Sequence, residues 1–255
     1  MILLHVQIYH IRNIDAMPLK LYPAVPADAI RISEIHMAAF ASNAMLLAQF
    51  RTPEVREGLR ESVRLKALAD ISDPRITVLV VRDISLGPDA PSGTTSQSNG
   101  IILGEPKTEE AQAGRVIAFA KWSHPVSKNE DYEETPWIWP PGTNMEILES
   151  WGKVTEEMQG QAVGDEPCYR LTFMGTDPQY ERRGAASMMV RWGLERCLER
   201  NIPGYLESTL DAAPFYERMG FTVFKKMSLR YRVEGESEHE VYEEIAFVHR
   251  PNAAS

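Results

Sequence analysis

The sequence predicts an α/β (α+β) fold, in which helices interrupt the strands instead of alternating with them strictly. Two observations carry this prediction. Segments 75–84 and 115–123 are rich in β-branched and other apolar residues, as buried strands are. Apolar residues at helical spacing follow Pro26 and again follow Gly184, which indicates amphipathic helices.

The elements are predicted in a definite order along the chain. Strands are expected at 19–25, 75–84, 115–123, 168–177, 203–210 and 221–233, with a last edge strand at 239–250. Helices are expected after Pro26, at 52–70, after Gly184 and at 211–220. Gly, Ser, Pro and Thr dominate much of segment 85–114, which predicts a flexible loop within a hairpin. Segment 124–167 is predicted to be an irregular acidic and aromatic insert.

Composition limits the classes of partner. The chain has 255 residues and a formal net charge of -9, and phosphate binding needs a basic surface, so nucleic acid is not expected as a partner. The sequence has no run of about 18 apolar residues, which argues against a membrane partner. Cys168 and Cys197 are too few for a disulfide framework or a zinc site, so a reducing, cytoplasmic location is expected and no metal is predicted.

A single domain is predicted over residues 17–250. Segment 1–16 lacks the basic start and the small-residue cleavage site of a secretory signal, so it is expected to be an extension outside the fold. Met17, just before the first predicted strand, is an alternative start of the chain. Residues 251–255 are expected to form a tail.

A group of small and basic residues stands where the helix after the fourth strand begins. From Glu181 to Ser187 it reads Glu-Arg-Arg-Gly-Ala-Ala-Ser. A helix N-terminus binds anions, because its N–H groups are unpaired and the helix dipole is positive there. Gly184 would let a phosphate approach the backbone, and Arg182 and Arg183 would add positive charge. A glycine helix start with solvated arginines is the alternative, because neither common nucleotide-binding signature is present.

A second motif begins at Ala212 and reads Ala-x-x-Phe-Tyr-x-x-x-Gly-Phe, with Tyr216 placed 30 residues after Ala186. Taken with the Glu-x-x-Gly-x-Ala pattern of the first motif, it resembles the GNAT superfamily of acetyl-CoA-dependent N-acetyltransferases. The match covers roughly 165–230, and the long insert also resembles fungal members of the superfamily. The resemblance implies the GNAT fold, a mixed central sheet of six to seven strands flanked by helices.

The resemblance also implies a site for acetyl-CoA as co-substrate. The pyrophosphate would bind at the first motif and the pantetheine arm along the edge of the preceding strand. The implied binding residues are Met174, Gly175, Thr176, Arg182, Arg183, Gly184, Ala185, Ala186, Ser187 and Tyr216. Glu181 departs from the family pattern, which prefers Gln or Arg there, and a carboxylate repels a pyrophosphate.

In the family that the chain resembles, an amine attacks the thioester directly. Met174 N–H is then the candidate donor to the oxyanion. Tyr216 matches the family's tyrosine acid, and a phenol with a pKa of about 10 suits a thiolate leaving group. The alternative interpretation of Tyr216 is a core tyrosine beside Phe215.

The base that deprotonates the amine is expected to lie outside strand 115–123, because this strand carries no acidic residue. His124 has a suitable intrinsic pKa and is the first candidate, although a histidine before proline at a strand end is usually only exposed. The other candidates are Glu146, Glu149, Asp165 and Glu166.

The sequence predicts an amine acceptor, either a small molecule or a lysine side chain, and a monomer or homodimer. Trp137, Trp139 and Trp151 either line the acceptor pocket or pin the insert to the body. The acidic run 129–134 is expected to be solvated. Two other functions stay open, a non-catalytic acyl-CoA-binding or regulatory module on the same fold and an interaction scaffold.

Overall fold

The computed structural model describes residues 18–87, 113–232 and 238–251. The strands in these ranges are β1 (Leu19–Pro23), β2 (Ile76–Asp83), β3 (Arg115–Ser123), β4 (Tyr169–Thr176), β5 (Gly204–Thr209), β6 (Thr222–Arg232) and β7 (His239–His249). The α-helices are α1 (Ala29–Ala39), α2 (Ala44–Gln49), α3 (Pro53–Ser72), α4 (Met145–Val163), α5 (Ala185–Arg200) and α6 (Ala213–Arg218). The predicted extension 1–16, most of loop 85–114 and most of the tail lie outside the described residues.

These strands form one sheet in the order β1-β2-β3-β4-β5-β7-β6. β4 and β5 run parallel, and the other neighbouring pairs are antiparallel. β2 and β3 are adjacent, which is the pairing that the predicted hairpin requires. The mixed sheet of seven strands, flanked by helices, confirms the predicted fold class.

Two of the predicted elements are wrong. β7 is not an edge strand, because it lies between β5 and β6 and pairs with both. Segment 124–167 is not irregular throughout, because it contains α4. The cap of this helix is Asn144, whose side chain accepts a hydrogen bond from Ile147 N–H at 3.2 Å, and asparagine is among the preferred N-cap residues.

Helices cover both faces of the sheet. α1 and α3 pack on β2 and β3 through a cluster that includes Ile32 and Ile35. α5 packs on the other face, where Trp122 of β3 is fully buried and its indole N–H donates to Met189 O at 3.2 Å. The helix passes this ring closely at Gly193, where an added Cβ would lie 2.2 Å from the indole.

Gly193→Ala should therefore destabilise the fold, although alanine is the better helix former. We expect the free energy of unfolding to fall by about 1–3 kcal/mol, the usual cost of overpacking a tight core. Gly160→Ala is the matched control, because Gly160 lies in α4 with nothing within 4 Å of an added Cβ. That variant should gain about 0.5–1 kcal/mol. Urea unfolding measures both, and equal stability of the two variants would contradict the close contact.

Candidate active site

A gap opens between β4 and β5 in the middle of the sheet. Their parallel pairing joins 169–171 to 204–206 and ends there, although both strands continue. At the same place the pairing of β4 with β3 shifts register, which leaves Thr172 as a bulge. The Thr172 hydroxyl donates to Lys121 O at 3.3 Å. Because a bulge bends the strand that carries it, β4 leans away from β5 beyond this point.

The second half of β4 turns backbone N–H groups toward this gap. Asp177 N–H donates to Ile117 O at 2.9 Å, on the β3 side. Because N–H groups alternate in direction along an antiparallel strand, those of Met174 and Thr176 point away from β3. This edge of β4 can therefore receive an extended chain with amide groups, as it would receive another strand.

The loop before α5 has the geometry of an anion-binding turn. Arg182 and Gly184 adopt positive φ angles of 62° and 94°, and Gly184 is the N-cap of the helix. An added Cβ at Gly184 would meet nothing within 4 Å, so the backbone there is open to a ligand. The free N–H groups of the first turn follow at once. The loop thus combines an exposed backbone with the positive end of a helix dipole.

The side chains of this loop offer fewer groups to a bound anion than its backbone does. Arg183 is held by an ion pair with the buried Asp83, at 2.5 Å, and its guanidinium lies 5.9 Å from the Tyr180 ring. Glu181 and Arg182 are exposed, so the Glu181 carboxylate is hydrated. These positions indicate that a phosphate at this turn would meet mainly N–H groups.

A cavity of about 540 Å³ lies at the gap between β4 and β5. Aromatic side chains form much of its wall, and they are His36, Phe40, Phe50, Trp137, Trp139, Trp151 and Phe173. The rings of Trp137 and Trp139 are stacked, with centroids 4.8 Å apart, and Trp137 meets the edge of Phe173 at 5.7 Å. All three predicted tryptophans thus line this cavity, and Trp137 and Trp151 also pack on the sheet, at Phe173 of β4 and Tyr242 of β7.

Tyr216 connects this cavity to the opposite face of the sheet. Its ring packs among Phe215, Phe221 and Phe247 in the core beneath α5. Tyr216 also lines the cavity. Burial raises the pKa of Tyr216, and the Glu244 carboxylate raises it further, so the phenol stays protonated at neutral pH.

Glu244 lines the same cavity and was not predicted from the sequence. It lies on β7 opposite Thr209 of β5, and it accepts a hydrogen bond from the Tyr242 hydroxyl at 2.6 Å. Burial raises the pKa of Glu244 to about 7, the Glu207 carboxylate acts in the same direction, and the Tyr242 hydrogen bond opposes them. A carboxyl group that titrates near neutral pH in a cleft is a candidate for proton transfer.

A buried cluster of charges borders the aromatic wall. Lys66 Nζ lies 2.5 Å from Asp70 Oδ1 and 2.6 Å from Glu134 Oε1. Lys121 Nζ lies 3.0 Å from Asp70 Oδ2 and 2.5 Å from Glu134 Oε1. Each carboxylate is thus shared by two ammonium groups. The prediction that the run 129–134 is solvated is therefore wrong at its last residue, because Glu134 is drawn into this cluster.

The base candidates that the sequence suggested do not line this cavity. His124 Nε2 lies 2.8 Å from Thr77 Oγ1, and burial, assisted by Arg200 and Arg75, lowers the pKa of His124. Glu146 and Glu149 are exposed on α4. Asp165 and Glu166 form ion pairs with Lys128 and Arg250. The fold does not bring any of these groups to the gap.

Cys168 and Cys197 are free, buried thiols. Burial raises the pKa of Cys168 to about 11 and that of Cys197 to about 12. Neither thiol is therefore prepared to act as a nucleophile. Within the described ranges, no helix has the length and hydropathy to cross a membrane. The same ranges hold no group of three or more His, Cys, Asp or Glu side chains arranged for a metal ion.

Comparison with known proteins gives a match to a family model over part of the chain, and a fold. Residues 111–221 match the model of the acetyltransferase (GNAT) family. A solved structure described as histone acetyltransferase HPA2 and related acetyltransferase from Corynebacterium glutamicum is 18% identical, with a TM-score of 0.51, and covers 92% of this chain and 97% of that chain.

Two further solved structures have the same fold. The C-terminal condensation domain of Ebony, solved with beta-alanyl-dopamine, is 12% identical, with a TM-score of 0.57, covering 92% of this chain and 100% of that chain. An agmatine N-acetyltransferase mutant is 15% identical, with a TM-score of 0.51, covering 91% and 99%. Identities this low establish the fold and leave the acceptor open. Residues 111–221 are thus similar to the GNAT acetyltransferase family, and the solved structures show that the chain has the fold of these acetyltransferases.

Proposed function

We propose that this protein moves an acetyl group from acetyl-CoA to an amine, by direct attack within a ternary complex. The observation that carries the proposal is the gap between β4 and β5. It leads from the open turn at Gly184, past the outward N–H groups of Met174 and Thr176, to the cavity that Tyr216 lines. The open turn, the strand edge and the cavity thus follow one another along β4 and the start of α5, and Met174 belongs to both the edge and the cavity wall.

Acetyl-CoA supplies an activated acyl thioester when it is bound, and the chain supplies positioning and charge. The backbone N–H groups of 182–187 hold the pyrophosphate at the start of α5. Met174, Gly175 and Thr176 offer the strand edge along which the amide-bearing arm lies. Met174 N–H then faces the carbonyl oxygen, where it stabilises the negative charge that develops during attack.

Tyr216 acts as the acid that protonates the departing sulfur. Its raised pKa keeps the phenol protonated until a thiolate is present to receive the proton. The buried, high-pKa cysteines support a direct transfer without an acyl-cysteine intermediate, because neither is prepared as a nucleophile. A cytoplasmic location and a monomer or homodimer stay predictions from the sequence.

The assignment of the turn is tested by Gly184→Glu. The new side chain would project into the open space at the helix start and bring a negative charge to the pyrophosphate position. The positive φ of Gly184 would also strain any other residue. We expect the affinity for CoA, measured by calorimetry, to fall by about 10²-fold or more. Gly160→Glu, the same change on an open helix surface, should bind CoA as the wild type does. Unchanged binding by the Gly184 variant would refute the assignment.

The rival function is a non-catalytic acyl-CoA-binding or regulatory module on the same fold. It predicts CoA binding without thiol release, whatever amine is present. An interaction scaffold predicts no CoA binding at all. A thiol-release screen of amines with acetyl-CoA, run beside calorimetry, separates the three functions. The presence of both Tyr216 and Glu244 in the cavity favours catalysis.

A further inference from the structure

The charges around the cavity leave one carboxylate without a cation. Asp70 and Glu134 each contact two lysine ammonium groups. Glu207 is paired with Arg170 at 2.9 Å. Among the described charged residues that line the cavity, Glu244 has the Tyr242 hydroxyl as its hydrogen-bond donor and no cationic partner. A ligand with a single positive charge would therefore neutralise the Glu244 carboxylate, the one described cavity carboxylate that lacks a cationic partner.

The part of the cavity at Trp137 and Trp139 is aromatic, and the charges that border it are two lysines paired with two carboxylates. Stacked Trp137 and Trp139 form this end of the cavity, and the Trp139 ring lies 5.9 Å from that of Phe50. His36 is buried there, and burial lowers the pKa of His36 to about 4, so its ring is neutral. A second ammonium group at this end would lose its hydration and find every nearby carboxylate already shared by lysines. Flat apolar groups, in contrast, would stack on the indoles.

We propose that the acceptor is a monoamine carried on an aromatic or similarly flat apolar body, with its ammonium group at Glu244 and its body against Trp137 and Trp139. This inference rests on the proposed acetyl transfer and names its substrate class. A volume of about 540 Å³ suits a ligand of this kind. A polyamine or a lysine within a peptide would bring further charged groups to the indoles, where the described carboxylates are already paired with lysines.

Glu244 and Tyr216 can account for every proton that moves in the proposed acetyl transfer. The ammonium group gives one proton to the Glu244 carboxylate, and the freed amine nitrogen bonds to the carbonyl carbon of the thioester. The carbon–sulfur bond breaks, its electron pair leaves with sulfur, and sulfur takes the Tyr216 proton. The second proton lost by nitrogen returns to the tyrosine. The products are an N-acetyl amide, a free thiol and one proton, which Glu244 releases to solvent.

The test is an acceptor panel with the full-length protein and acetyl-CoA, read as thiol release. The panel contains 2-phenylethylamine, ethylamine, spermidine and a lysine-containing peptide. We expect kcat/KM for 2-phenylethylamine to exceed that for each of the others by about tenfold or more. Trp137→Ala should lower kcat/KM about tenfold for 2-phenylethylamine and much less for ethylamine, while Trp137→Phe should restore most of the loss.

Each outcome decides between the proposals. Preference for spermidine or the peptide would overturn the substrate class and leave acetyl transfer intact. An equal loss for both monoamines in Trp137→Ala would show a structural role for the ring and would also overturn the inference. Absence of turnover with every amine would overturn the proposed function, and the inference with it.

Discussion

Tyr216→Phe should lower kcat by about 10²- to 10⁴-fold, the range expected when a general acid is removed. The change deletes one hydroxyl and keeps the ring that packs on Phe215, Phe221 and Phe247. The thiolate would then leave without a proton from the protein. Because the pyrophosphate turn and the β4 edge are untouched, CoA affinity should stay at the wild-type value. Steady-state thiol release and calorimetry measure the two quantities separately.

Tyr231→Phe is the matched control for this variant. Tyr231 is also buried, and its hydroxyl donates to Glu240 at 2.7 Å on the β6–β7 hairpin, away from the gap. Its loss should leave kcat within about twofold of the wild type, as for a change outside the site. Equal turnover by Tyr216→Phe and the wild type would remove Tyr216 from the mechanism and leave it as a core tyrosine.

Glu244→Gln should lower kcat/KM by about 10²- to 10³-fold, because the amide can neither accept the ammonium proton nor balance its charge. The pH profile gives the sharper readout. In the wild type, kcat/KM should rise with pH through a midpoint near the Glu244 pKa of about 7. Glu207, Tyr242 and Tyr216 border this carboxylate, and the protonation of the two tyrosines does not change in that range because their pKa values are raised. In Glu244→Gln, the rise of kcat/KM around pH 7 should be absent.

Stability separates this effect from unfolding. The folded-state pKa of Glu244 is raised from 4.5 to about 7, so between these values the folded protein binds more protons than the unfolded chain. The contribution of Glu244 to stability therefore falls as pH rises through this window. Glu244→Gln has no carboxyl group at this position, so it should not lose stability in this way as pH rises. Urea unfolding at pH 8 should therefore show a variant at least as stable as the wild type. A wild-type pH profile that is flat between pH 6 and 8 would contradict the assignment of Glu244.

The turn before α5 and the segment that carries Tyr216 could be recognised in the sequence because each belongs to a short local pattern. Gly184 is needed where φ is positive, and the signal of a helix start surrounds it. The proposed proton acceptor had no such pattern. Glu244 stands in a strand with other acidic residues, and its pKa depends on burial and on Glu207 from a neighbouring strand. The spacing of residues along β7 does not show that Glu207 of β5 will lie near Glu244.

The misassigned elements have similar physical causes. The order of strands in a sheet depends on long-range pairing, so the sequence of β7 gave no sign that it would lie between β5 and β6. α4 was missed because the aromatic and acidic stretch before it obscured its apolar spacing. Its Asn144 cap was the available signal. Glu134 looked solvated within its acidic run, and only the fold places two buried lysines beside it.

We propose that the residues at the gap between β4 and β5 catalyse acetyl transfer to an amine. The most direct test of this proposal incubates the wild-type protein with acetyl-CoA and 2-phenylethylamine. It follows both products, the free thiol by a colorimetric reagent and the N-acetyl amide by mass spectrometry. We expect the two products to form in equal amounts, at a rate that depends on the protein concentration. CoA binding with thiol release no faster than spontaneous hydrolysis, for this and every other amine, would contradict the proposal.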